Sequence, residues 1–464
     1  MGPYYLAIDI GASSGRHILA QKVKGKLVLE EIYRFSNGVI EKNGHLCWDL
    51  QRLFEEIKTG MKKCAQLNKI PVSVGIDTWA VDFVLLDEQD CVIGDTVAYR
   101  DSRTKGMDQK VYECISEEEL YARTGIQKQI FNSIYQLMAI KTNAPEQLQK
   151  AKALLMIPDY FHFLLSGVKA TEYTNATTMQ LVNPTTKDWD RNLIMKLGYP
   201  LEIFQNIRKA GTKIGNLTKE MEDEIGYSCQ VVLPPTHDTA SAVLAVPTTK
   251  KNVLYISSGT WSLMGTELRK ANCTEQSRQL NFTNEGGYDY RFRFLKNIMG
   301  LWMIQSVKKE IAEDLGFEEI CTKASMEDIA SIVDCNEERF LAPKSMVREV
   351  QRACEETGQQ VPEGIAQIAA VIYNSLAKCY AKTLKEIEMV TEEKYDCIYV
   401  IGGGANARYL NQLTKKETGK TVYAGPSEAT ATGNIIAQMM TDGVLTNVED
   451  ARECIFNSFE INEY

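Results

Sequence analysis

The sequence has little of what would mark a secreted, membrane-spanning or metal-stapled protein. No apolar run approaches the roughly 18 residues that cross a bilayer, and stretches such as Val81–Leu86 read instead as core strands. The opening MGPYYLAIDIGASSGR has neither a basic n-region nor a long apolar h-region, and Leu6 stands where myristoylation requires Ser or Thr. The 12 cysteines are scattered, with no C-x-x-C pair, which excludes a zinc knuckle or a dithiol redox motif. At that density they read as reduced, mostly buried thiols in a cytoplasmic protein. There are only 4 histidines; His17, His45 and His162 are expected to be structural. Positive charge is in deficit, Lys and Arg numbering 52 against 61 Asp and Glu, for a net charge of −9. That balance argues against nucleic-acid binding but leaves nucleotides open, since backbone amides and metal ions can hold phosphates. Low-complexity tracts and short-period repeats are absent as well.

What is present is a pair of similar loops in a chain of 464 residues, long enough for roughly two to four domains. Tyr4–Ile10 is an apolar, β-rich run that stops at Gly11-Ala12-Ser13-Ser14-Gly15 and resumes at His17–Val23. About 245 residues later the plan repeats: Val253–Ile256, then Ser257-Ser258-Gly259-Thr260, then Trp261–Met264. The echo predicts an α/β protein of two halves, 1–245 and 246–464, flanking a cleft. A further hairpin is expected through Lys42-Asn43-Gly44, a helix over Leu50–Ala65, and strands at Val72–Asp77 and Val81–Leu86. Residues 105–230 read as mostly helical, and long helices are expected at 300–316 and 364–390. A buried strand at Asp396–Ile401 leads into Gly402-Gly403-Gly404.

Each loop has a plain reading as a hairpin turn and a chemical one. Small residues let backbone amides approach an anion, hydroxyls add donors, and Arg16 adds a charged one. Asp9, at the end of the first strand, is a candidate metal ligand, directly or through water. Two such loops, one per half, would grip one polyphosphate. The Gly402–Ala407 run comes close to a dinucleotide fingerprint, but the following strand Thr421–Ala424 offers no acidic residue for a ribose. Gly419-Lys420-Thr421 has Thr414 where a Walker loop needs its first glycine, which argues against a GTPase or P-loop kinase.

In Pro234-Pro235-Thr236-His237-Asp238-Thr239, a strand ends and a small-residue helix begins. Asp238 is either a simple N-cap or a carboxylate that takes a proton from an attacking hydroxyl. Gly75-Ile76-Asp77-Thr78-Trp79-Ala80-Val81-Asp82 and Tyr99-Arg100-Asp101-Ser102-Arg103 mix aromatic rings with charges, as sugar sites do; the alternative is a buried Trp with surface ion pairs. Asn284-Glu285-Gly286-Gly287 and Lys296–Trp302 are further clusters of polar and small residues.

Taken together and in order, these motifs resemble the FGGY carbohydrate kinases, members of the actin-like ATPase-domain superfamily. Asp9–Arg16, Gly75–Trp79, Val81–Asp87, Tyr99–Arg103, Pro158–Phe161, Glu172–Thr178, Ser257–Gly265 and Leu295–Trp302 resemble the branch that acts on L-rhamnulose, over about residues 4–445. The resemblance implies two RNase H-like domains closing over ATP, and transfer of the γ-phosphoryl to the 1-hydroxyl of L-rhamnulose in L-rhamnose catabolism. It implies that Ala12, Ser13, Ser14, Gly15 and Arg16 hold ATP phosphates, with Thr260, Gln305 and Gly403 completing the nucleotide site. Asp238 would be the general base, and His237, Thr239 and Asn297 would contact the sugar beside Trp79, Ala80 and Asp82. Mg²⁺ would sit near Asp9 and Asp238. The family often has Gly at the position of Ala80, so a methyl enters the expected sugar loop. Expected partners are L-rhamnulose and ATP, with no nucleic acid or membrane, in a monomer or weak homodimer. L-fuculose or xylulose as substrate, a non-catalytic actin-like switch or filament, and a nicotinamide dehydrogenase are the rival readings.

Overall fold

A computed structural model describes residues 2–464. The chain forms two compact units, one of residues 1–245, 267–294 and 430–458, the other of residues 246–266, 295–429 and 459–464. The expected division was contiguous, 1–245 and 246–464; in the structure, two later segments complete the first unit.

The reason lies in the helix Ala429–Thr441. Its Asn434 donates to Asp77 Oδ2 at 2.6 Å and to the Gly75 carbonyl at 3.1 Å. Its Gln438 donates to the Leu6 carbonyl at 2.9 Å and accepts from the Ser73 hydroxyl at 2.6 Å. Buried amides must find partners, and these find them on strands near the chain's start. Gly433 makes the approach possible, since a Cβ there would lie 1.7 Å from the Ser241 carbonyl oxygen.

The first unit's main sheet runs in the order Thr212–Asn216, Gln230–Leu233, Pro71–Thr78, Tyr4–Ile10, Ser14–Val23, Lys26–Ser36. Tyr4–Ile10 pairs antiparallel with Ser14–Val23 and parallel with Pro71–Thr78. Leu6, Ile8, Ile10, Val74 and Ile76 are buried from its faces. They pack with Leu53, Ile57, Met61 and Cys64, the apolar stripe of the helix Leu50–Gln66, which Asp49 caps by accepting from the Arg52 N–H. The region expected to be mostly helical does hold Met107–Tyr112, Glu117–Thr124, Ser133–Asn143, Pro145–Lys150 and Ile157–Ser166. It is also threaded by short strands, among them Ala153–Met156, which pairs antiparallel with Phe83–Leu86. The expected strand from Val81 begins two residues late, because Val81 sits at φ 65° in a tight turn closed by Asp82 N–H to the Ala80 carbonyl at 2.9 Å.

The second unit repeats the arrangement. Val253–Ser258 pairs antiparallel with Trp261–Leu268 and parallel with Cys397–Ile401, which continues in parallel to Thr421–Ala424. The helices expected at 300–316 and 364–390 are Trp302–Ile311 and Gly364–Thr391. All twelve cysteines are free, most of them buried. Among the described residues, no helix is long and apolar enough to cross a membrane.

Candidate functional site

In the first unit the sheet brings acidic side chains to one end. Asp9 and Asp77 face each other in parallel register near the carboxyl ends of their strands. Thr78 bridges to His237, its N–H reaching the Thr236 carbonyl at 2.9 Å, so Asp238 follows at the same end. The carboxyl ends of parallel strands are where open α/β sheets bind ligands.

Asp238 is the first residue of the helix Asp238–Leu244, and its N-cap is His237, so the N-cap reading of Asp238 does not hold. Its Oδ1 accepts from the Thr239 N–H at 2.6 Å, and 28% of the side chain stays accessible. Burial, and next the charge of Asp9, push its carboxyl up to about 7, against the hydrogen bond from Thr239. Asp77 is raised well above the usual carboxylate range by burial and by Asp9, with Asn434 opposing. The charges of Asp9, Asp77 and Asp238 therefore act on one another.

The first loop is a tight turn, Gly11 N–H to the Ser14 carbonyl at 2.9 Å, tied down by Asn37. Ser13 is exposed, and Ala12 and Ser14 are partly so. Gly15 has a packing reason instead: a Cβ would strike the Phe35 ring at 2.1 Å. Arg16 directs Nε and Nη2 to the same Asp9 oxygen, at 3.0 and 2.8 Å.

Around His237 the structure builds a cluster. The guanidinium of Arg293 is fully buried and donates to the Gly286 carbonyl, Thr239 Oγ1, His237 Nδ1 and Glu285 Oε2, at 2.9, 2.7, 2.9 and 2.9 Å. Arg293 was not singled out in the sequence; a lone arginine inside the apolar strand Phe292–Met299 was the available signal. Glu172 was likewise missed as a support. Its Oε2 accepts from the N–H and hydroxyl groups of both Thr174 and Thr236.

Asp82, expected to meet sugar hydroxyls, is 1% exposed. Its Oδ2 accepts from the indoles of Trp48 and Trp79 and from the Tyr99 N–H, at 2.6, 3.0 and 3.1 Å; its Oδ1 accepts from Gln136 at 3.0 Å. The two indoles lie 4.1 Å apart, so Asp82 orients an aromatic wall rather than presenting a free carboxylate. Trp79 is itself buried, and Ala80 beside it is partly accessible.

The second unit gathers the other expected residues. Thr260 is exposed at the second turn, which Gly259 N–H closes on the Trp261 carbonyl at 2.8 Å. The Thr260 carbonyl accepts from Trp302 at 3.1 Å, at the start of the helix that carries Gln305. Gly404 packs on Ser258, where a Cβ would lie 2.0 Å from the hydroxyl, and Gly403 beside it is exposed with nothing within 4 Å of a Cβ. Asn297, partly exposed on the strand Phe292–Met299, also belongs to this unit, whereas His237 and Thr239 belong to the first. Among the described residues, no group of three or more His, Cys, Asp or Glu side chains is placed to hold a metal ion.

The profile of the FGGY family of carbohydrate kinases, N-terminal domain, matches residues 4–245, and that of its C-terminal domain matches residues 254–441. The chain is 51% identical to a rhamnulokinase of Halalkalibacterium halodurans, over 99% of this chain and 98% of that protein. It is 41% identical to a rhamnulokinase of Bacillus subtilis, over 99% and 95%. Among solved structures, it superposes on a xylulose kinase from Lactobacillus acidophilus with a TM-score of 0.81 at 14% identity, covering 99% of this chain and 93% of that one. A Plasmodium falciparum glycerol kinase with ADP matches with a TM-score of 0.80 at 13% identity, covering 99% and 94%. The mixed α/β architecture, with a sheet in each unit, is that of the actin-like ATPase fold these kinases share. By profile, by sequence and by fold, the chain belongs to the FGGY family of carbohydrate kinases.

Proposed function

We propose that this protein transfers the γ-phosphoryl group of ATP to the 1-hydroxyl of L-rhamnulose, giving L-rhamnulose 1-phosphate and ADP, in L-rhamnose breakdown. The observation that carries the reading is the placement of Asp238, an accessible carboxyl at the first turn of a helix and at the same sheet end as Asp9 and Asp77, where burial and the Asp9 charge push it up to about 7. A general base works best when its pKa lies near the working pH. The choice of sugar is supported by the two rhamnulokinases that the chain resembles over nearly its whole length.

In this reading the ionised Asp238 takes the proton of the sugar 1-hydroxyl as that oxygen bonds to the γ-phosphorus and the bond to the bridging oxygen breaks, releasing ADP. Such transfers have a loose transition state, so the protein contributes chiefly position and charge. The Ala12–Arg16 turn is assigned to phosphate, and Thr260, Gln305 and Gly403 to the rest of the nucleotide, supported by the accessibility of these residues apart from the buried Gly15. His237, Thr239 and Asn297 are assigned to the sugar, with Trp79 and Ala80 forming wall and loop, and Asp82 holding that wall. The mutual repulsion of Asp9, Asp77 and Asp238 fits a divalent cation, so Mg²⁺ near Asp9 and Asp238 is part of the proposal. When bound, it would neutralise charge on the phosphates. Under this reading the enzyme works in the cytoplasm, where its free thiols stay reduced.

ADP release measured with Mg-ATP against L-rhamnulose, L-fuculose and D-xylulose tests this. Strong preference for L-rhamnulose is expected. Preference for another ketose would keep the phosphoryl transfer and overturn the sugar assignment; sugar-independent hydrolysis alone would overturn the kinase reading.

A further inference from the structure

The cluster around His237 restricts where protons can sit. Arg293 is fully buried, and a guanidinium can only donate. His237 Nδ1, 2.9 Å from Arg293 Nη2, must therefore be the accepting nitrogen of a neutral ring, with the proton on Nε2. That nitrogen lies 3.0 Å from Thr239 Oγ1, so it donates there. Arg293 Nη1 donates to the same oxygen at 2.7 Å. A hydroxyl oxygen accepts two hydrogen bonds. With both taken, Thr239 has only its own proton to offer.

Building on the kinase reading, we propose that Arg293 is a positioning residue that fixes His237 in the Nε2–H form and turns Thr239 into an obligate donor, so that the sugar meets it with an accepting oxygen. Arg293 touches neither reacting group; it acts through His237 and Thr239. Glu285 completes the device by pairing with Arg293 at 2.9 Å, which holds the guanidinium in register while it is fully desolvated.

Other groups also face the ring. Glu285 Oε2 lies 3.4 Å from Nδ1, and Asp238 Oδ1 lies 3.5 Å from Nε2. Glu172 accepts from the neighbouring Thr236, and the His237 N–H reaches the Thr174 hydroxyl. Arg293 is the one cation among them. Without it, Nδ1 loses its donor, and the neutral ring can carry its proton on Nδ1 and donate to Glu285. Nε2 then accepts from the Thr239 hydroxyl, which has no proton left for the sugar.

Two readouts test this. In wild-type protein labelled with ¹⁵N-histidine, the His237 signals, assigned by their loss in His237→Asn, are expected to show Nδ1 bare and Nε2 protonated. A protonated Nδ1 would overturn the proposal, and no substrate is needed to see it. In Arg293→Met, the ring proton is expected to move to Nδ1. The KM for L-rhamnulose should rise about tenfold to a hundredfold, while the KM for ATP is unchanged. Arg293→Lys, which keeps the charge but not the fork, should restore the Nε2–H form without restoring the KM. An Arg293→Met enzyme with unchanged histidine signals and an unchanged KM for the sugar would equally overturn it. If Arg293→Met does not fold, the wild-type spectrum decides alone. Wild-type protein that phosphorylates no ketose would remove the kinase reading and the sugar half of this proposal, while the tautomer result stands separately.

Discussion

Glu172 and Thr236 are joined twice: Oε2 of the carboxylate accepts from the Thr236 N–H at 3.0 Å and from its hydroxyl at 2.9 Å. The same oxygen accepts from Thr174 and from the Asn175 N–H, so one buried atom fixes the segment that presents His237 and Asp238. Burial raises this carboxyl, and the donors around it oppose that rise. Glu172→Ala strands several buried donors at once, and a loss of about 2–4 kcal/mol is expected in urea denaturation. With the anchor gone, Asp238 drifts, and kcat/KM should fall by roughly a hundredfold. Unaltered stability in the variant would show that the anchor carries no weight.

Asp238 sets the pH dependence of the reaction. Its carboxyl, raised to about 7, must be ionised to accept the sugar's proton. The kcat/KM for the sugar should therefore rise with pH and reach half its plateau near 7, with activity lost on the acid side. Asp238→Asn should fold normally and lose turnover by several orders of magnitude at every pH, as roughly 10²–10⁴ is attributable to a positioned base. A wild-type profile flat down to about pH 5 would exclude Asp238 as the titrating base.

The sequence made the two hairpins legible because strand, turn and strand are contiguous there: each of Tyr4–Val23 and Val253–Met264 carries its own register. The helix over residues 50–66 was equally visible, since its apolar stripe and its Asp49 cap are local. Asp82 was harder. The residues that satisfy it, Trp48, Trp79, Tyr99 and Gln136, are far apart in the chain, so a carboxylate among aromatics read as a sugar ligand. Chain order places the helix Ala429–Thr441 in the second half, as the C-terminal family profile does, whereas its contacts group it with the first compact unit. Asn434 and Gln438, two amides four residues apart in an apolar stretch, were the sign that one face of it meets buried polar groups, but nothing local named those groups as Asp77 and Ser73. Gly15 and Gly404 looked like loop glycines made for a ligand, and the structure shows both pressed against protein atoms instead.

Asp159 should make stability depend on pH. It is buried against Glu172, whose N–H reaches its oxygens at 3.2 and 3.3 Å, and burial followed by the Glu172 charge raises its carboxyl well above 3.8. A group raised in the folded state contributes its full stability below the unfolded value, and that contribution is lost as pH rises through the folded value. Asp159→Asn cannot ionise. Relative to wild type, it should gain stability as pH rises above about 4, by up to about 1.4 kcal/mol per pH unit over the range up to the pH at which the folded Asp159 ionises. Parallel urea curves for the two proteins at both ends of that range measure it; a constant difference would mean that Asp159 does not titrate there.

The glycines separate packing from binding. Gly433 has no room for a side chain, because a Cβ would meet the Ser241 carbonyl at 1.7 Å, within the helix that begins at Asp238. Gly433→Ala must therefore push the helix Ala429–Thr441 away, at a cost of about 1–3 kcal/mol or more, together with the Asn434 contact to Asp77. Gly403 differs: a Cβ there meets nothing within 4 Å, and its φ is not positive. Protein packing gives no reason for a glycine at that position. If the backbone must pass close to the nucleotide, Gly403→Ala should leave the urea midpoint unchanged and raise the KM for ATP by about tenfold, equivalent to about 1.4 kcal/mol of lost binding. An unchanged ATP dependence in a stable Gly403→Ala enzyme would take that residue out of the nucleotide site and leave Thr260 and Gln305 to account for it.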